Sequence, residues 1–441
     1  MKTKKNPDYV YAALAVSLLL SSAIVPAFAA SADDLQRRVE QMESDLQLLM
    51  EELKQAKELA AAATQNATEA KAQAAAAERA SGSGSSAAGT SWHLAGYADA
   101  SFLISDADGQ RDTFNSGKFN PAFHFMYQDF LLFSSEAQIV VDSAGNTEIE
   151  LEYSRFDLFL NDYVTLVAGK YLSPVGLFKE RLHPSWINRL PDSPAGFGHD
   201  GLQPDSDVGV QVRGGIPFGD SRFTYVLAAG NGPRINATGA LNLGGFGADD
   251  NNNKSVSGRF GFLPVPYTEI GASFLTSTLK GANGTIPGAL ALTPTSGDFD
   301  LWGLDASYTR GSWDARVEYL NGTRGSISTA IPSTTTPGQT EVTALPDLEL
   351  EAWYTQLAYR LSGVTNNQIL GNFEPVLRYG QYSVSGLDTL RDEAAEKRFD
   401  VGLNYWVAPS VVLHNSIQWR DFDEAGKDTE QRIQFQFAYG F

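Results

Sequence analysis

The chain has 441 residues, 43 % of them apolar, with 41 Gly, 25 Phe, 17 Tyr and a formal net charge of −19. That acidic balance argues against nucleic acid as a partner, because phosphate binding needs a basic surface. Cys is absent, which excludes disulfides and thiolate metal sites, and nothing in the composition asks for a cofactor.

The chain opens with Lys2, Lys4 and Lys5, then the apolar run YAALAVSLLLSSAIV, then Ala27-Phe28-Ala29 with small residues spaced for cleavage. This pattern predicts a secretory signal peptide over 1–29. The apolar run is shorter than the roughly 18–20 residues of a spanning helix, and no later stretch is apolar enough to be one. The mature chain is therefore either soluble or crosses a membrane as strands.

Between Ser31 and Ala80 there is neither Pro nor Gly, and apolar residues step by four and three: Leu35, Val39, Met42, Leu46, Leu49, Leu53, then Ala positions to Ala77. The spacing predicts a coiled coil over 30–80. Arg38 with Glu43, and Glu52 with Lys57, stand five apart at flanking positions, which suits bridges between parallel helices. Dimer and trimer both fit, and a single solvated helix is the alternative for so Ala-rich a seam. SGSGSSAAGTS, residues 81–91, reads as a flexible linker and the clearest domain boundary.

From Trp92 to Phe441 the hydrophobic period becomes two. Strands are expected near 92–104, 119–126, 131–142, 147–160, 163–172, 207–216, 221–231 and 255–263. Eight more follow near 267–278, 298–310, 312–322, 348–361, 373–384, 396–407, 410–421 and 429–441. Connections alternate short (Pro217-Phe218-Gly219-Asp220, Ala408-Pro409) with long (173–206, 232–254, 279–297, 323–347). An even number of such strands predicts an all-β transmembrane barrel of about 16 antiparallel strands, with tight turns and the coiled coil in the periplasm and long loops outside.

Strand phase says which medium each face meets. Val411, Leu413, Ile417 and Trp419 alternate with Val412, His414, Ser416, Gln418 and Arg420, and Trp313, Ala315, Val317 and Tyr319 alternate with Asp314, Arg316 and Glu318. A large barrel turns the first set to outer-membrane lipid and lines a wet lumen with the second. One strand breaks the rule: in 147–160, Ile149, Leu151 and Tyr153 share a face with Arg155 and Asp157. A bulge and a wall facing another protomer both explain it.

AGKYLSPVGLFKERLHPSWINRLPDSP, residues 168–194, resembles the Gly-Lys-x-x-x-Pro-x-Gly stretch of the phosphate-selective porin O/P-like family, and EPVLRYGQYSV, residues 374–384, resembles a late strand of it. The terminal aromatics Phe437, Tyr439 and Phe441 resemble the signal by which such barrels are recognised for membrane insertion. The resemblance covers roughly 92–441 and implies a homotrimeric, passive, sixteen-stranded diffusion channel with a constricting inward-folded loop. Some trimeric porins also carry a periplasmic coiled coil.

The residues themselves nominate that loop. Segment 173–206 is the longest connection and carries Lys179, Arg181, His183, Arg189 and His199 against Glu180, Asp192, Asp200 and Asp205. Inward-phase cations are Arg213, Arg222, Arg259, Arg316, Arg360, Arg378, Arg398, Arg420 and Arg432, suited to forked recognition of anions. Inward-phase acids, among them Glu148, Glu150, Glu152, Glu269, Asp305, Asp314, Glu318, Glu374 and Asp400, accompany them. That balance favours a mixed-charge channel for small anions or nutrients over strict phosphate selectivity.

Rival readings are weaker. His414 and Ser416 share a face, but no strained nucleophile turn accompanies them, so an enzyme is not expected. GADDNNNK, residues 247–254, lacks calcium-loop spacing, so no metal site is expected. A structural protein whose coiled coil contacts peptidoglycan, with the barrel as its anchor, remains the alternative to a porin.

Overall fold

A computed structural model describes residues 89–107, 110–115, 117–141, 145–198, 201–236, 240–244, 251–281, 295–332, 340–386, 395–423 and 429–441. The expected signal peptide and coiled coil, and the linker up to residue 88, lie outside the described residues.

Sixteen antiparallel strands close into a barrel. They are Thr90–Ser105, Lys118–Tyr127, Leu131–Val141, Thr147–Asn161, Val164–Leu172, Ser206–Phe218, Ser221–Gly230 and Ser255–Leu263, followed by Thr268–Lys280, Ser296–Arg310, Trp313–Arg324, Leu348–Tyr359, Phe373–Ser385, Glu396–Ala408, Val411–Phe422 and Glu430–Gly440. Each pairs with the next, and the last pairs with the first from Tyr97↔Gly440 to Ser105↔Arg432. The main-chain N–H and C=O of Phe441 both bond to Gly96, at 2.9 and 3.0 Å. No backbone edge is left open around this wall, which is the condition hydrocarbon imposes on a sheet.

The boundaries agree with the period-two reading to within a few residues, with two differences. The first strand starts at Thr90, inside the stretch read as linker. A three-residue strand, Thr113–Asn115, also pairs with Ser101–Leu103, ahead of Lys118–Tyr127 on the same side of the first strand. The long connections carry small hairpins of their own, Arg234–Ile235 with Leu241–Asn242 and Ile327–Pro332 with Thr340–Leu345. At the short-connection end, residues 360–372 form the longest link. A four-residue helix there, Gln368–Gly371, starts at Asn367, whose Oδ1 accepts from the N–H groups of Ile369 and Leu370.

Burial follows the expected phase. Leu413, Ile417 and Trp419 are exposed while Val412, His414, Ser416 and Gln418 are buried, and Trp313 and Val317 are exposed while Asp314, Arg316 and Glu318 are buried. Apolar side chains on the outside and charged ones inside invert the order of a soluble sandwich.

The irregular strand contains a bulge. Its pairing with Leu131–Val141 runs Glu136↔Tyr153 and then Ala137↔Leu151, so Glu152 is the extra residue. Ile149 and Leu151 are exposed before it and Phe156 after it, while Glu152 and Asp157 are buried. One added residue shifts the phase and keeps the apolar side chains on one face.

The interior departs from a uniformly polar lining. Leu275, Leu279, Phe299, Leu301, Leu320, Leu350, Ala352 and Tyr354 are buried in one apolar cluster. Their partners come from the connections: Val175, Leu177, Phe178, Phe197 and Leu202, with Ile235, Leu241, Leu243, Ile327 and Leu345. One arc of the inner wall is thus an apolar seat covered by chain.

Candidate functional site

The segment between the fifth and sixth strands starts and ends side by side, since the Ser173 N–H donates to the Asp205 carbonyl at 3.0 Å. Pro174 lacks the donor needed to extend the strand, and Gly176 turns the chain inward with φ of +74°. A Cβ there would lie 2.0 Å from Glu318 Oε1, so the Pro-x-Gly spacing places a residue without a side chain against a wall carboxylate. Glu318 then accepts from the N–H of Leu177 at 2.6 Å and of Phe178 at 3.2 Å, and the Gly176 N–H donates to Ser273 Oγ at 3.0 Å.

Beyond this anchor runs one wide helical turn, Phe178–Leu182. Phe178 and Phe197 meet Tyr354 edge-on, with ring centroids 6.4 and 5.0 Å away. Lys179 is buried between Asp205 at 2.9 Å and Glu152 at 3.4 Å. Burial alone would lower its pKa, but the two carboxylates outweigh it and hold the ammonium above its usual range. Arg181, the most exposed cation of the segment, reaches Glu269 at 2.7 Å. His183 gives its Nδ1–H to the Lys179 carbonyl, and burial together with the Lys179 charge pushes its pKa down to about 3.

The far end is held by donors of the wall. Arg189 pairs with Asp314 at 3.1 Å and Glu374 at 3.4 Å and lies over the Trp406 ring. His414 Nε2 donates to the Ser185 carbonyl at 3.0 Å, and Asn404 Nδ2 to the Arg189 carbonyl at 2.9 Å. Arg378 donates to the Asp192 carbonyl at 2.9 Å and Arg398 to that of Ser193 at 2.8 Å. The Asp192 side chain receives the amides of Gln434 and Gln418. Burial pushes the Asp192 carboxyl up, but Arg398, Gln434, Arg432 and Arg378 together hold it below the usual carboxylate range.

The structure therefore brings Lys179, Arg181, His183, Arg189 and Asp192 against buried-phase side chains of the wall. His199 and Asp200 lie outside the described residues. Among the wall arginines, Arg213 pairs with Asp157 at 3.1 Å, Arg316 with Asp314 at 2.7 Å and Arg378 with Asp400 at 3.0 Å. Arg259 bridges Asp305 and Glu269, Arg420 bridges Glu396 and Glu430, Arg432 reaches Glu430, and Arg360 lies over Trp406. Arg222 is at the short-connection end of its strand. Phe437 and Tyr439 face outward on the last strand, and Phe441 stacks on Phe119 and meets Tyr439 at a tilt. His414 is spent on the segment rather than on Ser416.

Sequence reasoning placed Glu318 among the inward acids but not as the anchor of this segment, and it missed Ser273 and the apolar half of the seat. A usable signal was present in the apolar residues Val175, Leu177, Phe178, Leu190, Phe197 and Leu202 of this connection.

The fold is a closed sixteen-stranded antiparallel barrel with one connection bonded to side chains on the inner face of its wall. The sequence model of the family described as phosphate-selective porin O and P matches residues 282–441. That span includes EPVLRYGQYSV but not the inner segment. No curated protein sequence matches the chain. Among solved structures, an anion-selective porin from Comamonas acidovorans superposes with a TM-score of 0.52 at 12 % identity, over 80 % of this chain and 100 % of that one. OmpF of Salmonella typhi in complex with daunomycin gives 0.50 at 13 %, over 80 % and 98 % of the two chains. A loop L8 deletion mutant of OmpT from Vibrio cholerae gives 0.50 at 10 %, over 80 % and 100 %. At these identities the shared property is the fold.

Proposed function

We propose that the chain is an outer-membrane porin related to the phosphate-selective porin O and P family. It gives passive diffusion of small polar or anionic solutes through a water-filled barrel narrowed by segment 173–206. The observation that carries this reading is the bonding of one connection to the inner side of distant strands, from Glu152 through Glu318 to Gln434. A segment fixed there leaves less cross-section for solute and sets charges of both signs across it.

Paired arginines support a mixed-charge path rather than a strict phosphate filter, since Arg259, Arg316, Arg378, Arg420 and Arg432 all have carboxylate partners. The barrel sits in outer-membrane lipid as a homotrimer, with the coiled coil in the periplasm. Planar-bilayer recording of the purified chain under a potassium chloride gradient tests the reading. A steady conductance with a reversal potential toward that of chloride is expected.

The apolar seat under the segment favours one second reading, a closed cylinder that anchors a coiled coil bound to the cell wall. A correctly folded barrel that passes no current in the same recording selects it.

A further inference from the structure

Four charges on the wall near Asp192 do not balance without it. Arg378, Arg398, Arg420 and Arg432 come from four adjacent strands, and their wall partners are Asp400, Glu396 and Glu430. The fourth negative charge is the Asp192 carboxylate, brought in by the segment.

It enters a shaped receptor. Gln434 Nε2 lies 3.1 and 3.2 Å from the two carboxylate oxygens, and Gln418 Nε2 lies 3.4 Å from one of them. Gln418 is 1 % exposed and is itself fixed by Asp400 at 2.7 Å, so its amide is pre-aimed. Arg378, also 1 % exposed, and Arg398 hold the adjoining carbonyls of Asp192 and Ser193, and Asn188 Nδ2 is a second donor to the Asp192 carbonyl at 2.9 Å. Arg378 also keeps one buried Nη without a partner. Without Asp192 the four guanidiniums share three carboxylates, and an uncompensated positive charge in a largely buried site is costly, so an emptied site recruits an anion. The two amides touch both oxygens of one carboxylate, which matches a flat two-oxygen acceptor.

We infer that this wall site is a receptor for small carboxylate anions, which Asp192 occupies as a tethered ligand. A free carboxylate takes the same place when the segment lifts. This deepens the channel reading by naming a solute class, but the site is defined by binding and stands or falls without any measurement of current.

The test is rescue of the full chain, folded in detergent, after Asp192→Ala. Thermal unfolding is followed in sodium acetate, sodium phosphate and sodium chloride at equal ionic strength. The variant should unfold below the parent in chloride. Acetate at about ten times its dissociation constant should then raise its midpoint by roughly 2–4 °C in a saturable way, leaving the parent unmoved. Adding Gln434→Leu should abolish the rescue, which a general salt effect would not. Asp192→Ser repeats the test if the alanine variant does not fold. Absence of an acetate-specific shift, an equal shift in the parent, or stronger rescue by phosphate than by acetate each overturns the assignment. Bilayer recordings that show no current would remove the channel reading and leave this result intact.

Discussion

Replacing Lys179 by Met should unfasten the inner segment while leaving the barrel standing. The side chain keeps its length and apolar stem, so the packing beside Phe178 changes little. What disappears is a buried ammonium held by Asp205 at 2.9 Å and Glu152 at 3.4 Å. Removing one partner of a buried ion pair costs about 3–5 kcal/mol, because the other charge is left uncompensated. Asp205 retains some solvent contact, with 14 % of its side chain exposed, so the lower bound applies. About 3 kcal/mol corresponds to a hundredfold or slightly greater rise in the lifted population. Trypsin reports that population, since cleavage after Arg181 or Arg189 requires the segment to leave the wall and tracks the open fraction when reclosing is fast. The expected result is cleavage within 173–206 about a hundred times faster, with the folded barrel still resisting heat in detergent. A cleavage rate within threefold of the parent, with the barrel intact, would refute the claim that this pair fastens the segment.

Acid should loosen the same segment through His183. Its pKa is near 6.5 when free and about 3 in place, so the lifted state binds the proton more tightly. Docking is strongest above pH 6.5 and weakens by about 1.4 kcal/mol per pH unit as pH falls toward 3. Hydrogen exchange at the Leu177 and Phe178 amides, corrected for intrinsic rates, should accelerate across that window in the parent, and the slope should flatten in His183→Gln. Gly176→Ala places a Cβ 2.0 Å from Glu318 Oε1 at a φ of +74° and should weaken docking by at least about 1–3 kcal/mol, read by the same exchange. Ile417→Arg puts a charge on the exposed apolar face midway along its strand. Folding into vesicles should lose roughly 2–4 kcal/mol in a urea titration, and an unchanged midpoint would argue that this face does not meet lipid.

Much of the barrel was legible because its physics is local. Val411, Leu413, Ile417 and Trp419 alternate with polar neighbours, and a pleated strand converts that alternation directly into two faces. The bulge at Glu152 left a trace of the same kind, a run of apolar residues that changed parity. The inner segment was legible by its length and charge but not by its attachments, which join residues far apart in sequence. Leu177 meets Glu318, and Asp192 meets Gln434, with nothing nearby in sequence to announce either contact. The apolar seat stayed hidden for a related reason. Phe299 and Leu301 sit in a strand whose other phase holds Trp302 and Leu304, so both faces read as greasy and the pattern cannot say which covers chain.

The attachments of this one connection also bear on mechanics. Glu152 stands on the fourth strand and Tyr354 on the twelfth, half a circuit apart in the closed order, and residues 178–179 touch both. A hoop of hydrogen-bonded ribbons resists stretching around its rim but ovalises easily under sideways load. A spoke fastened to facing arcs fixes that diameter and, because the rim cannot stretch, the perpendicular one with it, so sideways load should ovalise this cylinder most readily along the diagonals between them.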